Sequence, residues 1–466
     1  MNGFNRAATA AVFAGAASLL LLLSAGCGSG SMNTLSPAAM TSSTQIRMGD
    51  APSARVVSFE VTVGPISLTS SDGSSVTVLS ARRRLEVTHL AGTSEPLTVL
   101  NVPQGSYASA TITLSNPEVV FLNSSGQLAN LEPVMNQVVT VTFSPPLVIT
   151  STASVLTLDL NVAGSLSFDG QGNVTAIAFG ASSFSVGISA VMSENEQEAE
   201  NGELEDITGM VTSVSGSSFM LNVGQSAAAL TFTTDANTQF NDGASLATLL
   251  NTIVRVEGVT RANGTLYAKE GEGVEANTGA ELEGLVTQTS GSPATQVTIL
   301  VQDGSGSGMD AAKIGATVTL NVGSARFAVT QGNIDTSGIG GLPSAPNFPF
   351  GASSLHAGQR IELETAEGMG GNLTTAEKVN LKQQALTGTV SGLGASAPPA
   401  RFTLALPADS AFAMLSGSNT VTVFWQPGTD VHDLPAGFHN GDPIRVRGLV
   451  FFTGTGFNMI ARRITP

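Results

Sequence analysis

Leu156-Thr157-Leu158-Asp159-Leu160-Asn161-Val162 alternates apolar and polar side chains at every step. A period of two gathers the apolar residues on one face of an extended chain, so the segment reads as a strand with one side packed and one side wet. The same alternation recurs at Phe59-Val61-Val63, Ala108-Ala110-Ile112-Leu114 and Val139-Val141-Phe143, with mainly Thr, Ser, Glu, Asp or Asn in between. Ser71-Asp72-Gly73, Pro103-Gln104-Gly105, Ser124-Ser125-Gly126 and Asp169-Gly170-Gln171-Gly172 separate such runs and supply the residue types that tight turns require. Short strands at regular spacing without a long helical period predict an all-β chain, opening with an antiparallel β-sandwich over residues 44–192.

Upstream of this body, Arg6 precedes an uncharged run from Ala7 to Leu23. The run is about 17 residues long, marginal for a membrane span and followed by small residues, so residues 1–26 read as a signal peptide. Leu23-Ser24-Ala25-Gly26-Cys27 resembles the lipobox of bacterial lipoproteins, with Ser24 where leucine is commonest. The resemblance implies that Cys27, the sole cysteine, is acylated and becomes the new N-terminus. Several acyl chains would then make the anchor effectively permanent. Gly28 in place of an aspartate implies outer-membrane sorting if the cell has two membranes, and residues 27–43 read as the lipidated cysteine and a flexible tether.

Acidic side chains outnumber basic ones 35 to 19, for a net charge of −16. So acidic a body repels nucleic acid, and the membrane is expected as a partner only through the lipid. With 42% hydrophobic residues several ordinary cores can form, and no thiol beyond Cys27 is present to make a disulfide.

Three landmarks stand in order: Met48-Gly49-Asp50-Ala51-Pro52, Val102-Pro103-Gln104-Gly105-Ser106-Tyr107, and Leu158-Asp159-Leu160-Asn161-Val162-Ala163-Gly164-Ser165-Leu166. Together they resemble an uncharacterised bacterial lipoprotein domain family whose members look like prealbumin-type or immunoglobulin-like sandwiches. The resemblance implies a fold and a compartment but no activity. Residues 193–206 follow, with seven acidic residues in the thirteen from Glu194 to Asp206, and read as an extended, self-repelling linker.

Beyond the linker the chain repeats itself loosely. Ile207-Thr208-Gly209-Met210-Val211-Thr212, Leu282-Glu283-Gly284-Leu285-Val286-Thr287 and Leu386-Thr387-Gly388-Thr389-Val390-Ser391 open three units, 207–280, 281–385 and 386–466. Val254-Arg255-Val256-Glu257-Gly258, Ile361-Glu362-Leu363-Glu364 and Ile444-Arg445-Val446-Arg447-Gly448 begin their closing strand pairs. Five strands with one short helical candidate, Leu246–Leu250 in the first unit, predict two or three small OB-like β-barrels. The units also resemble a second uncharacterised bacterial family of OB-like repeats, marked by Gly-x-Val-Thr at the start and Val-x-Val-x-Gly near the end. The second unit departs from it, with Thr365 where the closing glycine is expected and an insertion, Asn333 to Ser354, that reads as a surface loop.

Candidate chemistry is sparse. No Gly-x-Ser-x-Gly occurs, and the four histidines are His89, His356, His432 and His439. Asp430, His432, Asp433 and His439, with Asp442 close behind, are the one cluster with metal-ligand character, although Leu434–Phe438 between them reads as a plain loop. Asp303–Asp310 lacks the acidic residue that closes a calcium loop, and Arg82-Arg83-Arg84 reads as a solvated strand edge. The third unit differs in charge: five arginines stand against four aspartates from Leu386 to Pro466. Arg445 and Arg447 alternate with Ile444 and Val446 and should point out of the barrel, beside Arg462, Arg463 and Trp425, as a candidate ligand face for an acidic polysaccharide. The alternative is a plain solvent face with Trp425 in the core.

The sequence therefore implies a lipid-anchored envelope protein with no cofactor, built as a sandwich bearing small barrels displayed outward for binding or assembly with envelope polysaccharide or envelope proteins. The rival reading is an extracellular metal-dependent hydrolase using the Asp430–Asp442 cluster.

Overall fold

Thr41–Ala51, the first strand of the body, lies inside a four-stranded sheet between Ser154–Asn161 and Ser94–Pro103, with Phe184–Ala190 outermost. It runs antiparallel to Ser94–Pro103 but parallel to Ser154–Asn161, pairing Gly49 with Asp159 and Asp50 with Leu160. The second sheet is built on two long strands, Val56–Ser70 and Gly105–Leu122, and is antiparallel throughout. Ile46, Met48, Phe59, Val61, Ile112, Leu114, Leu156 and Leu158 form the layer between the sheets and are fully buried. Apolar surface removed from water stabilises such a layer by roughly 25 cal/mol per Å². In this computed structural model, residues 40–51, 54–194, 197, 204–223, 229–241, 244–274, 280–306, 313–329, 348–365, 373–395, 397–431, 434 and 437–466 are described. The chain is all-β as expected, and the parallel pair is the one exception to an antiparallel sandwich. No helix among the described residues is long and apolar enough to cross a membrane.

Three six-stranded sheets with one shared order follow. In the first, Leu204–Ser215 sits between Ser218–Val223 and Ile253–Thr260, and Ala229–Thr233 pairs with Leu266–Val274 to close a five-stranded barrel. In the third, Gln383–Ser391 takes the central place, and Thr420–Trp425 pairs with Phe457–Thr465 to close a second barrel. The unit between them has the same order around Ala280–Ser290, joined across its gap by a bridge between Asn321 and Thr375. The opening glycines mark equivalent tight spots: a Cβ would stand 2.2, 2.0 and 2.6 Å from a facing carbonyl oxygen at Gly209, Gly284 and Gly388. Gly258 and Gly448 are as confined at the closing strands, against the carbonyls of Tyr267 and Ile460. Thr365, at the matching bulge of the middle unit, instead turns its hydroxyl to the backbone of Ala280, accepting from its N–H at 2.7 Å and donating to its carbonyl at 2.8 Å.

Several local expectations are corrected. Leu246–Leu250 forms turns and no helix, because Thr248 Oγ1 bonds the Ser245 backbone and Asn251 adopts φ 63°. The helix appears instead in the third unit at Ala411–Ser416, capped by Ser410 and stopped by Gly417 at φ 71°. Arg83 is 1% exposed and donates to the carbonyls of Pro96 and Leu97, so Arg82–Arg84 is not a solvated edge. Gln197 of the acidic linker is buried, bonding the N–H and carbonyl of Thr260. Residues 330–347 of the insertion lie outside the described residues, but Phe348 beyond them packs at 5.1 and 5.4 Å from Phe424 and Phe451.

Nor are the barrels displayed apart from the sandwich. Met40 to Pro466 forms one compact unit. Phe424, Leu449, Phe451 and Ile460 of the third unit belong to the same apolar cluster as Leu282, Ile299 and Leu363 of the second. Val57, Val120 and Leu122 of the sandwich meet Leu300 and Ala411 in another. Thr260 of the first unit donates to Gln45 of the sandwich at 3.1 Å.

Candidate functional site

The third unit's closing strand, Pro443–Phe452, alternates as read: Ile444 and Val446 are fully buried in the barrel, so Arg445 and Arg447 project from its outer side. What lies outside is the sandwich. Arg447, 9% exposed, donates from Nη1 to the carbonyls of His89 and Ala91 at 3.2 Å each. Arg445 faces Asp50 and Asp159 and lies over Gly92. Arg462 is 4% exposed, and Arg463 Nε holds Asp430 at 3.1 Å across paired strands. Trp425 is in the barrel core against Phe438, with ring centres 5.0 Å apart. The expected open arginine face is therefore corrected to a covered one. Alternation identifies the outer side of a strand but not what packs on it.

The covering surface is itself charged. His89 lies between two carboxylates, Nδ1 3.0 Å from Glu86 Oε2 and Nε2 2.8 Å from Glu95 Oε1. Burial works against a charged ring, but Glu95 and Glu86 outweigh it and push His89 up to about 10. Glu86 also accepts the N–H groups of Phe59, Thr88 and His89, and its pKa falls despite burial. Asp50, 2% exposed, goes the other way: burial, then Glu86 and Asp159, raise it well above the usual range against the pull of Arg445 and the Val162 amide. Burial thus favours its neutral form.

A second charged cluster joins the first two barrels. Arg255 of the first binds Glu272 at 2.7 Å, Glu362 of the second at 2.8 Å, and Glu281 of the second. Lys382 lies 3.3 Å from Glu362 and 3.8 Å from Glu283, which also holds Arg360 at 2.6 Å. Asn380 donates to Glu362 at 2.7 Å. Among the described residues, three cations here face four carboxyls, of which all but Glu272 are largely out of water. Burial and the neighbouring Glu362 push Glu281 up to about 8, while Lys382, Arg255 and Asn380 hold Glu362 low in spite of its own burial.

A cavity of about 260 Å³ opens where the sandwich and the second and third units meet. Its lining combines His89, Arg360, Arg445 and Gln302 with the apolar Val57, Leu285, Leu406 and Phe412. Gln302, 6% exposed, reaches from the second unit to donate to the Val57 carbonyl at 2.6 Å.

The Asp430–Asp442 cluster is divided. Asp430 is engaged by Arg463, and the His439 N–H caps Asp442 Oδ2 at 2.8 Å with the imidazole exposed. His432 and Asp433 lie outside the described residues, as does Cys27. Among the described residues, no three His, Cys, Asp or Glu side chains are grouped to hold a metal.

With this geometry in view, one comparison bears on the chain. Residues 208–270 match a domain of unknown function (DUF5666). The match runs from the opening Thr208-Gly209 of the first barrel into the second strand of its closing pair, which accords with an uncharacterised domain in that unit. The other two units share its strand order. None of the curated proteins matches the chain.

Glu86, His89, Glu95, Arg360 and Glu362 were not singled out by sequence. A signal existed: only 12% of residues are charged, yet charged residues sit within strands, as in Arg83–Glu86 and Arg360–Thr365. Ionisable groups on short buried strands point to a partner across a junction.

Proposed function

We propose that this chain is a lipid-anchored envelope protein that works without catalysis, as a rigid platform for binding or assembly near the membrane. The single observation that carries this reading is the fusion of all four β units through buried ion pairs and shared apolar clusters. Independent domains on flexible linkers sample many orientations, whereas a body fixed at its junctions holds one surface in one geometry. Cys27 supplies the anchor, in the outer membrane if the cell has two. Residues Gly28 to Ala39 allow the platform to stand no more than roughly 40 Å from the lipid. Envelope proteins or polysaccharides are the partners this arrangement suits; the arginines of the third unit are engaged within the body and do not form the recognising face.

The test is fractionation of cells expressing the chain or its Cys27→Ala variant, with palmitate labelling and capture of cross-linked envelope components. The platform reading expects label and membrane association only with Cys27, and a defined set of captured envelope molecules that is lost in Cys27→Ala. Membrane association and labelling that persist in Cys27→Ala overturn the anchor, and turnover of an envelope polymer by the purified chain overturns the non-catalytic role.

A further inference from the structure

The three-way cavity has a charge character opposite to that of the chain. Acidic residues outnumber basic ones 35 to 19 in the sequence, yet the ionisable residues lining this cavity are His89, Arg360 and Arg445, with no carboxylate. Among the described residues, Nε of Arg360, Nε of Arg445 and Oε1 of Gln302 have no hydrogen-bond partner, although these atoms lie behind the cavity wall and not on it. Arg360 is 7% exposed and Gln302 6%. What the cavity does offer is a set of cationic and amide side chains held in place by burial, which suits an anionic occupant.

The occupant's chemistry follows from the walls. His89 spends its charge on Glu86 and Glu95, and Arg360 has Glu283. Arg445 is different: the two carboxyls it faces, Asp50 and Asp159, are both pushed above their ordinary range by burial and so balance its charge less fully. A guanidinium matches a carboxylate in two parallel hydrogen bonds. Val57, Leu285, Leu406 and Phe412 add apolar lining beside these polar groups. A cavity of about 150 Å³ accepts benzene, so 260 Å³ accepts one ring and a short charged arm.

We propose that the junction cavity is a binding site for a small organic monocarboxylate with an apolar body the size of one ring, its carboxylate held by Arg445 with Arg360 and its body by Val57, Leu285, Leu406 and Phe412. The site goes beyond the platform reading and does not depend on the anchor. All three walls come from different units, so an occupied cavity also tightens their junction.

The test is calorimetric titration of the full chain in lipid nanodiscs with phenylacetate and with its neutral isostere, phenylacetamide. The expected result is one saturable site for phenylacetate, with the amide weaker by about tenfold or more. Arg445→Gln should weaken phenylacetate by a similar factor. Ala385→Phe, which fills the cavity from a half-buried strand position, should abolish binding while circular dichroism stays that of the parent. Should Arg445→Gln fail to fold, Ala385→Phe decides alone. Absence of saturable binding by the parent, equal affinity for acid and amide, or binding that survives Ala385→Phe overturns the proposal and leaves a solvent-filled cavity only.

Discussion

Arg447 Nη1 donates to the backbone carbonyl of His89, a residue 358 positions earlier, and to that of Ala91 at the same 3.2 Å distance. The outer side of the last barrel is thereby tied to the loop that carries the most strongly charged pocket of the sandwich. Hydrogen bonds from a charged donor are worth about 1.5–3 kcal/mol, and two carbonyls lose their partner together. Arg447→Ala is therefore expected to destabilise the whole body by about 3 kcal/mol, read as a shift in urea midpoint with unchanged slope. Stability within experimental error of the parent would contradict a structural role for this contact.

The proton in the Arg255 cluster gives a pH dependence of definite sign. Glu281 stands at about 8 in the folded chain against an ordinary 4.5, so its contribution is complete below about 4.5 and is lost as pH rises through 8. His89, at about 10 against an ordinary 6.5, contributes fully below about 6.5 and ceases to contribute as pH rises through 10. Melting temperature should accordingly fall between neutral pH and pH 10. Glu281→Gln replaces a protonated acid by its isostere; it should cost little at neutral pH and remove the part of the decline that runs from about 4.5 up to about 8. Glu362→Gln removes the charge that Arg255 and Lys382 share, and should cost about 3–5 kcal/mol, as breaking a buried ion pair does. Equal effects of the two substitutions at neutral pH would show that the proton is misassigned.

Gly448 and Thr365 occupy matching bulges in two barrels but obey different constraints. A Cβ at Gly448 would stand 2.0 Å from the Ile460 carbonyl oxygen, so Gly448→Ala should destabilise by about 1–3 kcal/mol through overpacking. Thr365→Val keeps the shape and removes both hydroxyl bonds to Ala280, leaving a buried N–H without its partner, and should cost about 1–2 kcal/mol. Chemical denaturation of both variants checks the pair; a stabilising Gly448→Ala would mean that the bulge is looser than its geometry.

Much of the architecture was legible because alternation is a local property. Phe59, Val61, Val63, Leu156, Leu158 and Leu160 are all buried as their spacing demanded, and the strand order repeats in all three units opened by Gly209, Gly284 and Gly388. The site was far less legible. Arg445 and Arg447 do leave their barrel, but nothing near them in sequence announces Ala91, Gly92 or Asp50 as the surface they meet. Arg83 shows the same limit: flanked by Arg82 and Arg84 it resembles a solvated edge, yet alternation turns it inward onto two carbonyls. Pairings between distant units are set by packing, which composition and period do not encode.

Differential scanning calorimetry of the full chain tests the central claim, that the sandwich and the three units after it are one body held together by buried charge. A single cooperative transition is expected, with calorimetric and van't Hoff enthalpies in agreement, and Arg255→Met at the first two barrels should move that entire transition to lower temperature. Separate transitions for sandwich and barrels in the parent chain, or an Arg255→Met variant in which one barrel melts early while the rest is untouched, would contradict it.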